Sequence, residues 1–151
     1  MIGRSNGDID STTFMEARRQ VVVDKGQESG RYRDMADVPY VKSSGEHKTE
    51  PTEHGVKGLQ SYGIRPNVIV CRCEEAMDEG VKRKISMFCN VKPDCVIENR
   101  TLPVLYEAPV MLEEEGLSAV VCRELGLDCG PADITGWTEM RRRVANRTGR
   151  V

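Results

Sequence analysis

Aromatic residues are scarce in this chain, with one Trp, four Tyr and two Phe among 151 residues. None of them interleaves with the basic tail Arg141-Arg142-Arg143, Arg147 and Arg150, so that tail lacks the stacking platforms of a single-stranded nucleic-acid binder and reads as a solvated helix end. Charge of one sign is also missing. The 22 Lys and Arg against 24 Asp and Glu leave a net charge of −2, which gives no electrostatic case for general nucleic-acid binding. The longest apolar runs, such as Val68 to Cys71 and Ala119 to Cys122, are too short for a bilayer span or a signal-peptide core, and the cytosol is the expected compartment. With 14 Gly and 7 Pro the chain is no low-complexity polymer, and no internal repeat is visible.

What remains is the length of one soluble domain. Such a chain buries roughly 70% of its unfolded surface and needs no disulfide or metal staple. Its six cysteines, Cys71, Cys73, Cys89, Cys95, Cys122 and Cys129, are therefore expected as reduced thiols that fill small apolar spaces. Cys71 and Cys73 form a C-x-C, whereas zinc sites favour C-x2-C pairs or matched Cys and His spacing. The two histidines, His47 and His54, lie far from that pair in sequence. No G-x-S-x-G elbow is present, and both histidines fall in a polar loop and helix start, which gives little support for nucleophilic catalysis.

Strands alternate with helices and no two-residue hairpin signal occurs, which is the pattern of a parallel sheet. After the polar turn Gly7 to Ser11, Thr13 and Glu16 have capping-box spacing, and Phe14, Ala17 and Val21 mark an apolar stripe on a helix running to about Glu28. A short strand is expected around Met35 to Val41, then a polar loop from Ser43 to Glu50. Pro51 suits the first turn of the next helix, with Val56 and Leu59 facing inward and Gly63 as its stop. The run Asn67 to Cys71 reads as a strand covered on both faces. A helix near Gly80 to Phe88, a strand near Cys95 to Ile97, and a helical last third stopped at Gly116 and Gly126 complete the series, ending in an amphipathic piece from Thr135 to about Ala145.

Parallel sheets place their ligand loops at the carboxyl ends of the strands, so phosphate signals come first. Gly45-Glu46-His47-Lys48-Thr49 lacks the glycine directly before the lysine, and the one five positions earlier, that a phosphate loop needs. It leaves Lys48 and two threonines in front of a helix start, where backbone N–H groups and the dipole favour an anion or a threonine simply caps the helix. The triplet Lys82-Arg83-Lys84 reaches either a phosphate or water.

Several strings together carry a more specific signal: GDIDS (Gly7 to Ser11), VPY (Val38 to Tyr40), SGEHKTEPTEHGVK (Ser44 to Lys57), YGIRPNVIVCR (Tyr62 to Arg72), KRKISMFCNV (Lys82 to Val91) and LYEAPVMLEEEGL (Leu105 to Leu117). In this order and spacing, from about Gly3 to Trp137, the chain resembles the CTP synthase family. The resemblance implies an α/β, P-loop-like synthetase domain, present in part over residues 1–137 and corresponding to that domain's second half. Residues 138–151 are then a basic helix end and the start of a linker.

In that family ATP phosphorylates the uracil 4-oxygen of UTP and ammonia from a separate glutaminase domain displaces the phosphate, with Mg supporting the phosphoryl transfer. By resemblance, Asp8, Ile9 and Asp10 match an Asp-Ile-Glu contact with UTP or CTP. Lys48, Thr49, Glu50, Pro51, Thr52 and Glu53 match its Lys-Thr-Lys-Pro-Thr-Gln triphosphate and pyrimidine loop, and Lys84 its second UTP lysine. Arg100, Thr101 and Leu102 match an adenine-contacting Lys-Asp-Val. Three departures shape the expectation. The chain begins after the family's glycine-rich ATP loop and ends near its linker, so it is expected to be catalytically silent alone. Gly3-Arg4-Ser5-Asn6 replaces Gly-Gly-Thr-Val. Glu50 and Glu53 in place of Lys and Gln shift the local charge by about three units against a triphosphate. The resemblance further implies homo-oligomers or association with CTP synthase subunits. A non-catalytic interaction module built on those contacts is the alternative, and a thiol or metal module using Cys71 and Cys73 is a third.

Overall fold

The computed structural model describes residues 11–26 and 31–146. Asp8, Ile9 and Asp10, the expected helix end at Glu28, and Arg147 and Arg150 lie outside the described residues. The fold is mixed α/β: helix α1 (Thr12–Lys25), strands β1 (Arg33–Asp37), β2 (Tyr40–Val41) and β3 (Glu46–His47), helix α2 (Glu50–Ser61), strand β4 (Val68–Cys73), helix α3 (Glu79–Cys89), strand β5 (Val96–Arg100), and helices α4 (Ala108–Glu114), α5 (Leu117–Glu124) and α6 (Thr135–Ala145). The expected division after Trp137 falls inside α6.

Strands β1, β4 and β5 form one parallel sheet in the order β1-β4-β5, with Arg33 opposite Val68 and Ile69 opposite Val96. The central strand β4 is buried along nearly its whole length because both faces are covered. Ile69, Cys71 and Cys73 pack with Val56 of α2 and with Ile85 and Cys89 of α3. Val68 and Val70 turn the other way, onto Ile97 and Val120 of α5. Cys71, Cys73, Cys89 and Cys95 are buried free thiols, the small fillers that the composition suggests. Burial pushes the Cys71 thiol up to about 12 and those of Cys73 and Cys89 up to about 11, so these are unreactive groups.

Local signals hold where packing agrees with them. Pro51 sits in the first turn of α2, Val56 and Leu59 are buried, and Gly63 (φ 73°) turns the chain out of the helix while its N–H donates to the Gln60 carbonyl at 2.9 Å. Three expectations need correction. The stripe Phe14, Ala17 and Val21 faces outward, with Phe14 44% and Val21 58% exposed, because α1 docks through Met15 onto Leu59, Ile64 and Tyr32. The Thr13 and Glu16 capping box is absent: Ser11 is the N-cap, and Glu16 instead accepts two hydrogen bonds from Arg19, at 2.7 and 2.8 Å, and one from Gln20. The expected strand Met35 to Val41 is also two elements. Beyond β1 the chain turns at Val38, whose N–H donates to the Arg72 carbonyl, and Tyr40–Val41 then pairs as β2 with β3, which lies within the expected loop, in an antiparallel hairpin.

Candidate functional site

A cleft of about 490 Å³ opens at the carboxyl end of the sheet, where parallel folds hold ligands. Three elements build it. The hairpin β2-β3 contributes Tyr40, Gly45, Glu46 and His47, the start of α2 contributes Thr49, and the start of α3 contributes Asp78, Gly80, Val81 and Lys84. Two helix N-termini therefore converge on one cavity, and the helix dipoles with the first-turn N–H groups left uncapped favour an anion there.

Each wall has a local cause. Tyr40 and His47 are cross-strand partners with ring centroids 5.0 Å apart in an edge-on arrangement, and His47 Nε2 lies 3.2 Å from the Glu75 carbonyl. Asp78 caps α3 by accepting the Val81 N–H at 2.9 Å. A Cβ at position 80 would stand 2.9 Å from Asp78 Oδ1, so a larger residue there would shift the capping carboxylate. The segment leading to Asp78 is pinned by Glu98, a buried carboxylate on β5 that accepts the Met77 N–H at 2.8 Å and pairs with Arg100 at 3.3 Å. Glu98 in turn donates its own N–H to Glu115 at 3.3 Å, and the same carboxylate takes Lys82 at 2.9 Å. Burial works against the Lys82 ammonium, yet its bond to Glu115 leaves the pKa above its ordinary value.

Of the expected nucleotide residues, Thr49 and Lys84 line this cleft together. Lys48 is ion-paired with Glu46, which its hydrogen bond holds below the usual carboxylate range, with Lys84 adding to the effect. That same bond raises Lys48. Glu46 thus bonds Lys48 directly and feels the Lys84 charge more weakly. Thr49 is buried and donates its hydroxyl to Glu53 at 2.7 Å rather than capping α2. Thr52 is buried as well, its hydroxyl donating to the Asp37 carbonyl at 3.0 Å, which ties α2 to the end of β1. Glu50 and Pro51 are exposed on the first turn. The expected adenine contacts lie at the end of β5: Arg100 on Glu98, Thr101 with its N–H on the Cys73 carbonyl at 2.9 Å, and Leu102 half-buried. In the basic triplet Lys82 serves the Glu115 network, Arg83 is exposed, and Lys84 reaches the cleft.

Tyr40, His47, Asp78 and Glu98 escaped the reading of the sequence. Asp78 had a usable signal as an N-cap type ahead of the helix pattern, and Glu98 one as a lone charge in an apolar strand. Among the described residues no group of three His, Cys, Asp or Glu is arranged to hold a metal ion, and no helix is long and apolar enough to cross a membrane.

Comparison with known proteins bears on the family of this chain. Residues 1–127 match the family model described as CTP synthase N-terminus. The chain is 49% identical over 145 residues to a CTP synthase of Ruminiclostridium cellulolyticum and 47% identical over 145 residues to one of Geobacillus kaustophilus, in each case 96% of this chain and 27% of the relative. A CTP synthase of Clostridium kluyveri is 48% identical over 139 residues, 92% of this chain and 26% of that protein. The chain thus spans about a quarter of the length of the curated relatives it matches. The match is to the enzyme's N-terminus, which corrects the narrower expectation of the synthetase domain's second half alone. On the family match and the relatives together, the chain belongs to the CTP synthase N-terminus family.

Proposed function

We propose that this chain is the UTP- or CTP-binding portion of a CTP synthase, the ligase that aminates UTP to CTP with ATP and glutamine-derived ammonia. The observation that carries the reading is the convergence of Thr49 and Lys84 on one cleft at the carboxyl end of the sheet, between two helix starts. In this role the Lys84 ammonium neutralises phosphate oxygens and the helix N-termini supply N–H donors. A triphosphate entering the cleft competes with Glu46 for Lys48, exchanging one anionic partner for another. Glu53 acts through Thr49, because a carboxylate in that place requires the threonine hydroxyl as its donor. Arg100, Thr101 and Leu102 are the proposed adenine edge. ATP and Mg enter only through the family. The protein works as an oligomer of such subunits in the cytoplasm, and the chain alone makes no CTP.

Calorimetric titration of the full chain with UTP and CTP tests this reading. Lys84→Gln should weaken binding about tenfold, the loss of one charge-assisted contact. Glu50→Lys with Glu53→Gln should strengthen it, by a margin that shrinks as salt rises. Unchanged affinity in the Lys84 variant would remove the cleft from nucleotide binding.

A second reading rests on a separate observation. Val21 and Phe14 on α1 are exposed, and Met35 on the edge strand β1 is 71% exposed, so apolar groups stand where a neighbouring subunit would cover them. On this reading the chain is a non-catalytic module that pairs with CTP synthase subunits or with itself. A sharp monomer by light scattering across a concentration series would exclude the self-pairing form.

A further inference from the structure

At the opposite end of the sheet, beneath the starts of β1 and β4, lies a second cleft of about 380 Å³. It is walled by Arg19 of α1, Arg31 and Tyr32 ahead of β1, Arg65 and Asn67 ahead of β4, and Asn90 at the end of α3. Three of its lining side chains are guanidinium groups, and among the described residues none is a carboxylate.

Several of the polar groups are set in place by bonds to neighbouring groups. Arg19 directs Nε and Nη2 at Glu16, at 2.8 and 2.7 Å, which leaves Nη1 for another acceptor. Its stem lies against Gly63, where an added Cβ would stand 3.1 Å from Arg19 Cδ. Asn67 Oδ1 accepts the Tyr32 N–H at 3.1 Å, so the amide NH2 is the end of that side chain with donors to give. The Tyr32 hydroxyl donates to the Arg18 carbonyl at 2.8 Å, and the Arg18 guanidinium sits 5.1 Å from the ring centroid, which fixes that wall. Asn90 holds a left-handed conformation (φ 55°) at the C-cap of α3. Arg65 stands exposed at the rim. The result is a concave surface rich in donors and positive charge, with its main side-chain acceptors already engaged.

We propose that this cleft binds a compact oxyanion of the phosphate class. Guanidinium forks match the paired oxygens of such an ion, and amide donors fill the remaining lone pairs. The ion's source is either free phosphate or the phosphate tail of a nucleotide. The site does not depend on the nucleotide cleft, which is at the other end of the strands and uses Thr49 and Lys84.

The test is an amide-resolved NMR titration of the full chain with inorganic phosphate, against sodium chloride at equal ionic strength. Phosphate should shift the Gly63 and Asn67 amides saturably, and chloride should not. Arg65→Gln, a change at an exposed position, should weaken the phosphate effect about five- to tenfold, and Arg65→Lys should restore part of it. Lys84→Gln should leave it unchanged. A parallel titration with UTP separates the sources: movement of the same two amides assigns the site to a nucleotide phosphate, and stillness there with a phosphate response assigns it to the free ion. The proposal is overturned if phosphate leaves Gly63 and Asn67 unmoved, if chloride reproduces the shifts, if Arg65→Gln titrates like the parent, or if Lys84→Gln abolishes the response.

Discussion

Helices α3 and α1 are of similar length, 11 and 14 residues, and both begin beside a polar cap residue, yet they are held in different ways. Helix α3 buries Ile85, Ser86 and Cys89 against the sheet, is capped by Asp78, and ends on the left-handed Asn90. Helix α1 buries Met15 alone among its described residues, and its Glu16 bonds Arg19 and Gln20 within the helix. Helix α6 resembles α1, with no buried residue and with Glu139 bonded to Arg142 and Arg143. The difference is one of where the stabilisation resides. In α3 it lies in tertiary burial, which is insensitive to salt, and in α1 and α6 it lies in pairs three and four residues apart, which salt and acid weaken.

Alkaline pH should expose this contrast most strongly. Cys71, Cys73 and Cys89 sit in the α2 and α3 side of the core with thiols raised to about 12, 11 and 11, chiefly by burial. Their folded values lie above the unfolded value near 9, so their contribution is whole below pH 9 and is lost as pH climbs toward 11 and 12. A tenfold difference in proton affinity between the folded and unfolded chain corresponds to about 1.4 kcal/mol, so the three thiols together should cost several kcal/mol of stability by pH 10.5. Urea denaturation at pH 8 and pH 10.5 measures the loss, and Cys71→Ala should flatten the slope. The same burial predicts that a thiol reagent under native conditions labels Cys129, which is exposed, well before Cys71. Equal labelling rates would mean that the core opens far more readily than its packing implies.

A cavity in the core is the next largest effect. Ile69 is fully buried on β4, and Ile69→Ala should destabilise the chain by about 2–5 kcal/mol in urea titration. Val21→Ala on α1, at a position 58% exposed, should change stability by no more than about 0.5 kcal/mol. If the Val21 change costs as much as the Ile69 change, α1 is covered in solution by something that its exposed face does not reveal.

This division also decided how much was legible beforehand. The run Val68 to Cys71, the inward Val56 and Leu59, and the stop at Gly63 were readable because the local pattern and the packing partner agree there. On α1 two faces carry apolar residues, and Leu59, Ile64 and Tyr32, distant in sequence, selected the Met15 face over the Phe14 stripe. The hairpin β2-β3 has two residues per strand, too few for any periodicity to register. Of the cleft, the threonine ahead of α2 and the basic triplet of α3 were visible as residues, and family resemblance singled out Lys84. The pinning of the segment leading to Asp78 by Glu98 on β5 depends on a bond to Met77 across 21 positions, which no local window contains.

The smallest effect concerns α6, where the helix rests on side-chain charge with little burial. Glu139 accepts from Arg142 at 2.8 Å and from Arg143 at 2.9 Å, and these bonds hold its carboxyl down near 2. The folded value lies below the ordinary carboxylate range, so the contribution is present above pH 4.5 and is lost as pH falls toward 2. Because these groups lie at the surface of a helix with no buried residue, the loss should appear as fraying of α6 alone, with no shift in the global unfolding midpoint. Amide exchange read residue by residue at pH 5 and pH 3 should show protection falling over Thr135–Ala145 while Ile69 to Cys71 keep theirs. Glu139→Gln should impose the acid pattern on α6 at pH 5, and added salt should move the parent protein toward the same state. Unchanged protection in that variant would mean that α6 is held by its contacts with the turn at Leu105–Glu107 and with α4 instead of by its own arginines.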